Sequence, residues 1–190
     1  MPSSDPLHIM LAHDAWATRL LLNLCRDLSH EQFHRKFDIG LGSLHTTFAH
    51  IISAMRRWTD RVEGRAPRPM LHALPNVTTT DVDARDHTAD ELHVLHDDAV
   101  QEFAAVARKW ADRDFGSTIN VEWPSKEGRK RYTFTRAAVI VHVCTHGMHH
   151  RAQCLNMLRH LNIPGVSDNL PDPSVVDWQA ETELPGVLVS

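Results

Sequence analysis

Between Val139 and Leu161 the chain carries a stripe that dictates how this segment must pack. Val139, Val143, His146, His150, Gln153, Met157 and Leu161 recur at spacings of four, three, four, three, four and four, the rhythm of a helix seated among other helices. Apolar residues hold both ends of the stripe and three polar side chains hold its middle. A buried imidazole without a partner forfeits its hydrogen bonds to water, at about 1–3 kcal/mol for an unsatisfied polar group. Two of them one turn apart put ring nitrogens on one helical face, close enough to share a transition-metal ion. The chain has 15 histidines, so pairs at helical spacing also arise by chance. His142 and His149 lie within about 60° of His146 at about 100° per residue. The apolar residues that continue the stripe on both sides favour a buried face over a histidine-rich surface.

Three further segments share this helical periodicity. Asp5-Pro6 is a cap followed by proline at the first helical position, and Leu7, Met10, Ala17, Leu21, Leu24 and Leu28 follow as a stripe. His13 and Asp14 interrupt it and read as a solvated first turn or two. Ser43 caps a stripe of Leu44, Phe48, Ile51, Met55, Trp58 and Val62, and Thr88 with Glu91 forms a capping box ahead of Leu92, Leu95, Ala99, Phe103, Val106 and Trp110. The expected fold is all-α: a four-helix bundle with helices over Pro6–Leu28, Ser43–Glu63, Thr88–Ala111 and Thr135–Leu161. Ser29 with Gln32 predicts a short extra turn over Ser29–Phe33.

The connections are unequal. Gly64–Asp86, with Pro67, Pro69, Pro75 and Thr78–Thr80, reads as a long crossover. Ser117–Trp123 and Arg131–Thr135 flank Pro124–Lys130 and predict a small β-hairpin between the third and fourth helices. Residues 1–190 read as one domain with its core over about 5–162; the proline-rich stretch 163–190 reads as a coil-rich tail anchored by Trp178.

Composition removes several classes. A net charge of −4 leaves no electrostatic footprint for nucleic acid; Lys126, Arg129, Lys130 and Arg131 read as a solvated turn. No apolar run reaches the ~20 residues that span a bilayer, and the first residues lack a signal-peptide pattern. A cytoplasmic protein without membrane contact is expected. Cys25, Cys144 and Cys154 are odd in number and lack C-x-x-C spacing, so they read as reduced, buried thiols.

Two histidines do not complete a metal site, since catalytic zinc commonly takes three protein ligands and an open position. His13 and Asp14, His45 and His50, or His93, His96, Asp97 and Asp98 could supply the third. Periodicity does not choose: His50 lies about 120° from the centre of its stripe at about 100° per residue, and faces the core only if that helix is buried on a second side. His142 is an alternative one turn earlier; His149 reads as a neighbour, and Arg151 as the partner of a surface carboxylate or a cap on a neighbouring helix. His146 to His150 has the H-x-x-x-H frame of zinc proteases, but Gly147 stands where that motif needs glutamate. No Walker loop, G-x-G-x-x-G or G-x-S-x-G occurs.

The segment His142-Val143-Cys144-Thr145-His146-Gly147-Met148-His149-His150-Arg151-Ala152-Gln153 resembles the last-helix signature of the DinB/YfiT-like family, H-x-x-x-H-R-G-Q. Trp16-Ala17, Ser43-Leu44, Ala49-His50 and Trp58 extend the resemblance over most of Leu7–Leu161, with Ala152 in place of the usual glycine. The resemblance implies a metal held by His50, His146 and His150; Gln153, one turn beyond, is the expected cofactor-binding residue, orienting a ligand or hydrogen-bonding a metal-bound water. Zinc is the metal expected first, and nickel also suits three imidazoles. It further implies an enzyme that transfers a low-molecular-weight thiol onto a small electrophile, and a homodimer. A metal-dependent hydrolase and a non-enzymatic, stress-related metal-binding bundle are the alternatives.

Overall fold

The computed structural model describes residues 3–73, 81–83 and 85–184; Pro75, Thr78–Thr80 and Pro185 of the sequence reading lie outside them. Local caps start each long helix. The Asp5 carboxylate accepts from the Leu7 amide and Pro6 takes the first position of α1 (Pro6–Leu24). Ser29 and Gln32 close a capping box around α2 (His30–His34). Ser43 caps α3 (Leu44–Val62), and Thr88 with Glu91 boxes α4 (Ala89–Arg113). Two strands, β1 (Thr118–Ser125) and β2 (Gly128–Thr135), precede α5 (Arg136–Leu161), which ends at Asn162 in the left-handed region. The last element is α6 (Val175–Thr182).

The protein is thus mostly helical with one small antiparallel sheet. The extensive contacts run from α3 to α4 and α5, and from α1 to the same two helices, so each long helix buries two sides. Leu21, Leu22, Phe48, Ile52, Leu92, Ile140 and Leu158 are fully buried between them, each side chain contributing about 1.5–3 kcal/mol by leaving water. A smaller cluster of Val62, Val106, Ile119, Val121 and Val139 seats the hairpin against α3, α4 and α5. Among the described residues no helix is long and apolar enough to cross a membrane.

Three expectations need correction. First, α1 stops at Leu24, because Cys25 and Leu28 turn back onto Leu22 and Cys25 and Ser29 starts a new helix. The hairpin is longer than read: pairing runs through Pro124 opposite Arg129 to a turn at Lys126 and Glu127, and proline is tolerated because this two-stranded ribbon has free edges. Arg129 and Arg131 pair with Glu122 across it and stay exposed. Third, the tail is not all coil. Ser174 caps α6 by accepting from the Asp177 amide, Trp178 is buried, and the helix packs on α1.

The crossover is pinned rather than loose where it is described. Arg68 donates to Asp60 at 2.9 Å and to Glu102 at 2.7 Å, tying it to α3 and α4. The Leu71 amide donates to Ser53 Oγ at 2.8 Å, and Met70 bridges to Val82 in parallel.

His96 on α4 is fully buried and neither ring nitrogen has a hydrogen-bond partner. Burial holds its pKa down to about 4, with Asp97 pulling it up and Arg19, His93 and Arg151 pushing it down. Above the unfolded value near 6.5 the group is neutral in both states and stability is flat. Below it the unfolded chain takes a proton that the folded chain refuses until about pH 4, so stability falls through that window. In urea unfolding at pH 7.5 and 5.0, the parent should lose about 2 kcal/mol more than His96→Leu, at about 1.4 kcal/mol per pH unit for one proton. Equal losses in the two proteins would rule out a neutral buried His96.

Candidate metal centre

His146 and His150 lie one turn apart on the side of α5 that meets α3, and His50 comes from α3. Burial of α3 on two sides resolves the angular difficulty of His50: the helix has no single inward stripe, because α4 and α5 cover different faces. The Nε2 atoms of His50 and His146 are 3.0 Å apart, and those of His146 and His150 are 3.2 Å apart. One nitrogen from each of the three lies within 4.8 Å of the others.

Hydrogen bonding on the far side of the rings decides what these nitrogens can do. His72 Nδ1 faces the Ala73 carbonyl at 3.0 Å, and a carbonyl only accepts, so the His72 proton sits on Nδ1. A neutral His72 then offers a lone pair at Nε2, and His50 Nδ1 donates to it at 3.0 Å. His50 therefore turns a bare Nε2 towards His146. On the other side His150 Nδ1 donates to Gln153 Oε1 at 2.8 Å, leaving its Nε2 bare as well. Burial, reinforced by the neighbouring imidazoles, pushes His50 down to about 3 and His146 down to about 4. His150 is also lowered by burial, against the Gln153 hydrogen bond, and His72 by burial against its bond to Ala73. The rings are neutral at pH 7. With its proton on Nε2, His146 would donate to one of these two lone pairs; with the proton on Nδ1 it would add a third, suited to a shared cation, and tetrahedral zinc spaces its nitrogen ligands about 3.3 Å apart. The residues present fit such an ion.

The DinB family model matches residues 3–173. The chain belongs to the DinB family. No protein with a curated description matches the chain.

Within this DinB protein the other candidates fall elsewhere. His13 Nε2 donates to the Pro173 carbonyl at 2.9 Å beside α6. His45 faces Asp86, while His93 and His96 sit against Asp97. Asp98 is exposed. His142 is exposed with its ring edge-on to Trp58. His149 is exposed and accepts from Gln153 Nε2 at 3.0 Å. Ala152, where the family pattern has glycine, is exposed and lines a cavity with Met10 of α1 and Val175 of α6.

Two readings were wrong. Asp14 is not solvated and Arg151 does not pair at the surface: their side chains are 4 % and 3 % exposed and bonded to one another. Arg151 also donates to Thr18 Oγ1 at 3.0 Å, and Thr18 donates to the Asp14 carbonyl. Burial raises the Asp14 carboxyl, and Arg151 pulls it back down. Gly147, read as a missing glutamate, makes this pair possible. A Cβ there would lie 2.7 Å from Asp14 Oδ1 and 2.9 Å from Arg151 Nη1. Gly40, at φ +51°, passes so close to the Gln153 amide that a Cβ would sit 2.2 Å from Oε1, which confines that side chain against His150. His72 escaped the sequence reading altogether, since it lies in a crossover with no periodicity.

Gly147→Ala should lower the thermal midpoint: overpacking costs about 1–3 kcal/mol, against about 1 kcal/mol gained in helix propensity. Arg151→Ala should cost more, about 3–5 kcal/mol, by leaving Asp14 buried and unpaired. An unchanged midpoint in both variants would contradict a tightly packed pair. His72→Phe and Gln153→Leu should keep the helical circular dichroism signal and weaken metal affinity about 10–100-fold, the usual effect of losing a partner that orients a ligand.

Proposed function

We propose that this protein is a metal-dependent enzyme of the DinB family that transfers a low-molecular-weight thiol onto a small electrophile. His50, His146 and His150 hold a divalent transition metal, zinc first and nickel second, on a single-domain four-helix bundle. The observation that carries this reading is the convergence of three Nε2 atoms, two of which, on His50 and His150, are left unprotonated by the bonds their Nδ1 atoms make. Among the described residues no carboxylate joins this group. A metal in such a site supplies Lewis acidity that favours thiolate over thiol.

The chain's own residues bind and orient. His72 and Gln153 hold the two outer imidazoles in the tautomer that exposes Nε2, and Gln153 is close enough to the site to meet an incoming group. His50 and His146 are only half-buried, which leaves an approach from solvent. The protein's thiols are poor candidates for the nucleophile. Cys25, Cys144 and Cys154 are all buried, and burial raises each well above the usual thiol range, so the reacting sulfur comes with the substrate.

Metal analysis of untagged protein should find a transition metal that falls away in His50→Ala and in His146→Ala. Zinc-loaded protein should bind a small thiol with proton release near neutral pH in weakly buffered solution, and consume that thiol with a generic electrophile. His150→Ala should lose both while remaining helical. Absence of thiol affinity, or unfolding of the bundle on chelation, would instead support the non-enzymatic reading.

A further inference from the structure

A file of aromatic rings leads from the His50, His146 and His150 centre to the hairpin. Trp58 lies about two turns beyond His50 on α3, and His142 one turn before His146 on α5. The His142 ring is 5.5 Å from that of His146 and 5.6 Å from that of Trp58. Trp58 in turn meets Trp123 of β1 at 5.9 Å and Phe134 of β2 at 6.2 Å, nearly perpendicular to both. Trp123 reaches on to Tyr132 at 5.2 Å. Because Val121 pairs with Tyr132 and Ile119 with Phe134, these side chains share the face of the hairpin that meets the bundle.

The hairpin is fastened without leaving these rings sealed. Ile119 and Val121 are buried with Val62, Val106 and Val139. Trp58, Trp123 and Phe134 are only half-buried, Tyr132 is 36 % exposed and His142 is exposed. Trp110 Nε1 donates to Glu63 at 2.7 Å, but among the described residues no acceptor meets the indole N–H of Trp58 or Trp123. Arg61 lies over the Trp58 ring at 5.1 Å and donates to the Arg57 carbonyl at 3.2 Å, with no carboxylate partner among the described residues. The patch joins electron-rich ring faces to unmatched donors.

We propose that this patch binds the electrophile, and that the electrophile is a planar, electron-poor aromatic compound; the inference rests on the thiol transfer proposed above. Indole and phenol rings attract an electron-deficient ring in offset or edge-on contact. A ring that accepts a thiolate must be electron-poor. The nitro or carbonyl groups that make it so are acceptors for the indole N–H groups and for Arg61. One helical turn, about 5.4 Å, separates His142 from His146, so a ring resting on His142 and Trp58 turns its reactive carbon towards the three histidines. In the transfer the sulfur bonds to the ring carbon that carries the leaving group. The bond to that group breaks with its electron pair, and the thiol proton passes to solvent.

Binding and turnover test the patch separately. Dinitrobenzene, an electron-poor ring that does not react, should bind the protein with or without zinc. The five tryptophans give separate indole signals in proton–nitrogen correlation spectra, assigned by replacing each with phenylalanine. Those of Trp58 and Trp123 should shift saturably on titration. Trp123→Leu and the exposed His142→Ala should each weaken the binding about three- to tenfold, the usual loss of one aromatic contact. In zinc-loaded protein given a small thiol, both variants should lower the ratio of kcat/KM for chlorodinitrobenzene to that for iodoacetamide by a similar factor. Shifts confined to other indoles, or affinity and ratio unchanged in both variants, would overturn the patch. Dinitrobenzene binding that weakens in both variants, in a protein that consumes no thiol with either electrophile, would uphold the patch and sink the thiol transfer. Thiol consumption without any dinitrobenzene binding would do the reverse.

Discussion

Burying a carboxylate and a guanidinium in a helical core costs several kcal/mol per ion unless the two meet in good geometry. That requirement governs how α1 and α5 can pack. Asp14 and Arg151 are almost wholly withdrawn from water, so α5 has to be rotated until Arg151 faces α1. Residues on an α-helix turn by about 100° each, and the rotation that points Arg151 at α1 points His146 and His150 towards α3. Gly147, between the two histidines, is the position where any side chain would collide with the ion pair. The orientation of His146 and His150 and the burial of the pair are therefore one constraint.

The second requirement concerns protons. An imidazole presents a lone pair at one nitrogen only if the other nitrogen keeps its hydrogen, and here neighbours from distant parts of the chain enforce the choice. Gln153 does so within α5, held down by the backbone at Gly40. For His50 the choice is made by His72, from a crossover pinned to α3 through Ser53 and to α4 through Arg68 and Glu102. The crossover thus contributes to the chemistry of the centre without contributing a ligand.

Much of the fold was legible because its signals are local. Asp5-Pro6, Ser43, Thr88 with Glu91 and the stripe through Val139 to Leu161 each report a helix from residues a few positions apart, and all four long helices are present. His146 and His150 were legible for the same reason. His50 was not, because its direction depends on α3 having two covered faces; only the family resemblance singled it out. Asp14 and Arg151, separated by 137 positions, each look like a surface polar residue on their own helix. Helix α6 was hidden by the prolines around it, although Ser174 and Asp177 stand at capping distance.

Donor charge decides what the His50, His146 and His150 cluster would do to a bound ion. His50, His146 and His150 are neutral donors, so a divalent cation held there keeps its double charge in a partly buried site where low dielectric strengthens its pull on an anion. Such an ion would have an electrostatic reason to accept an anionic fourth ligand. A carboxylate among the donors would cancel part of that charge, so a set of three imidazoles is what would leave an ion there able to draw in an anion.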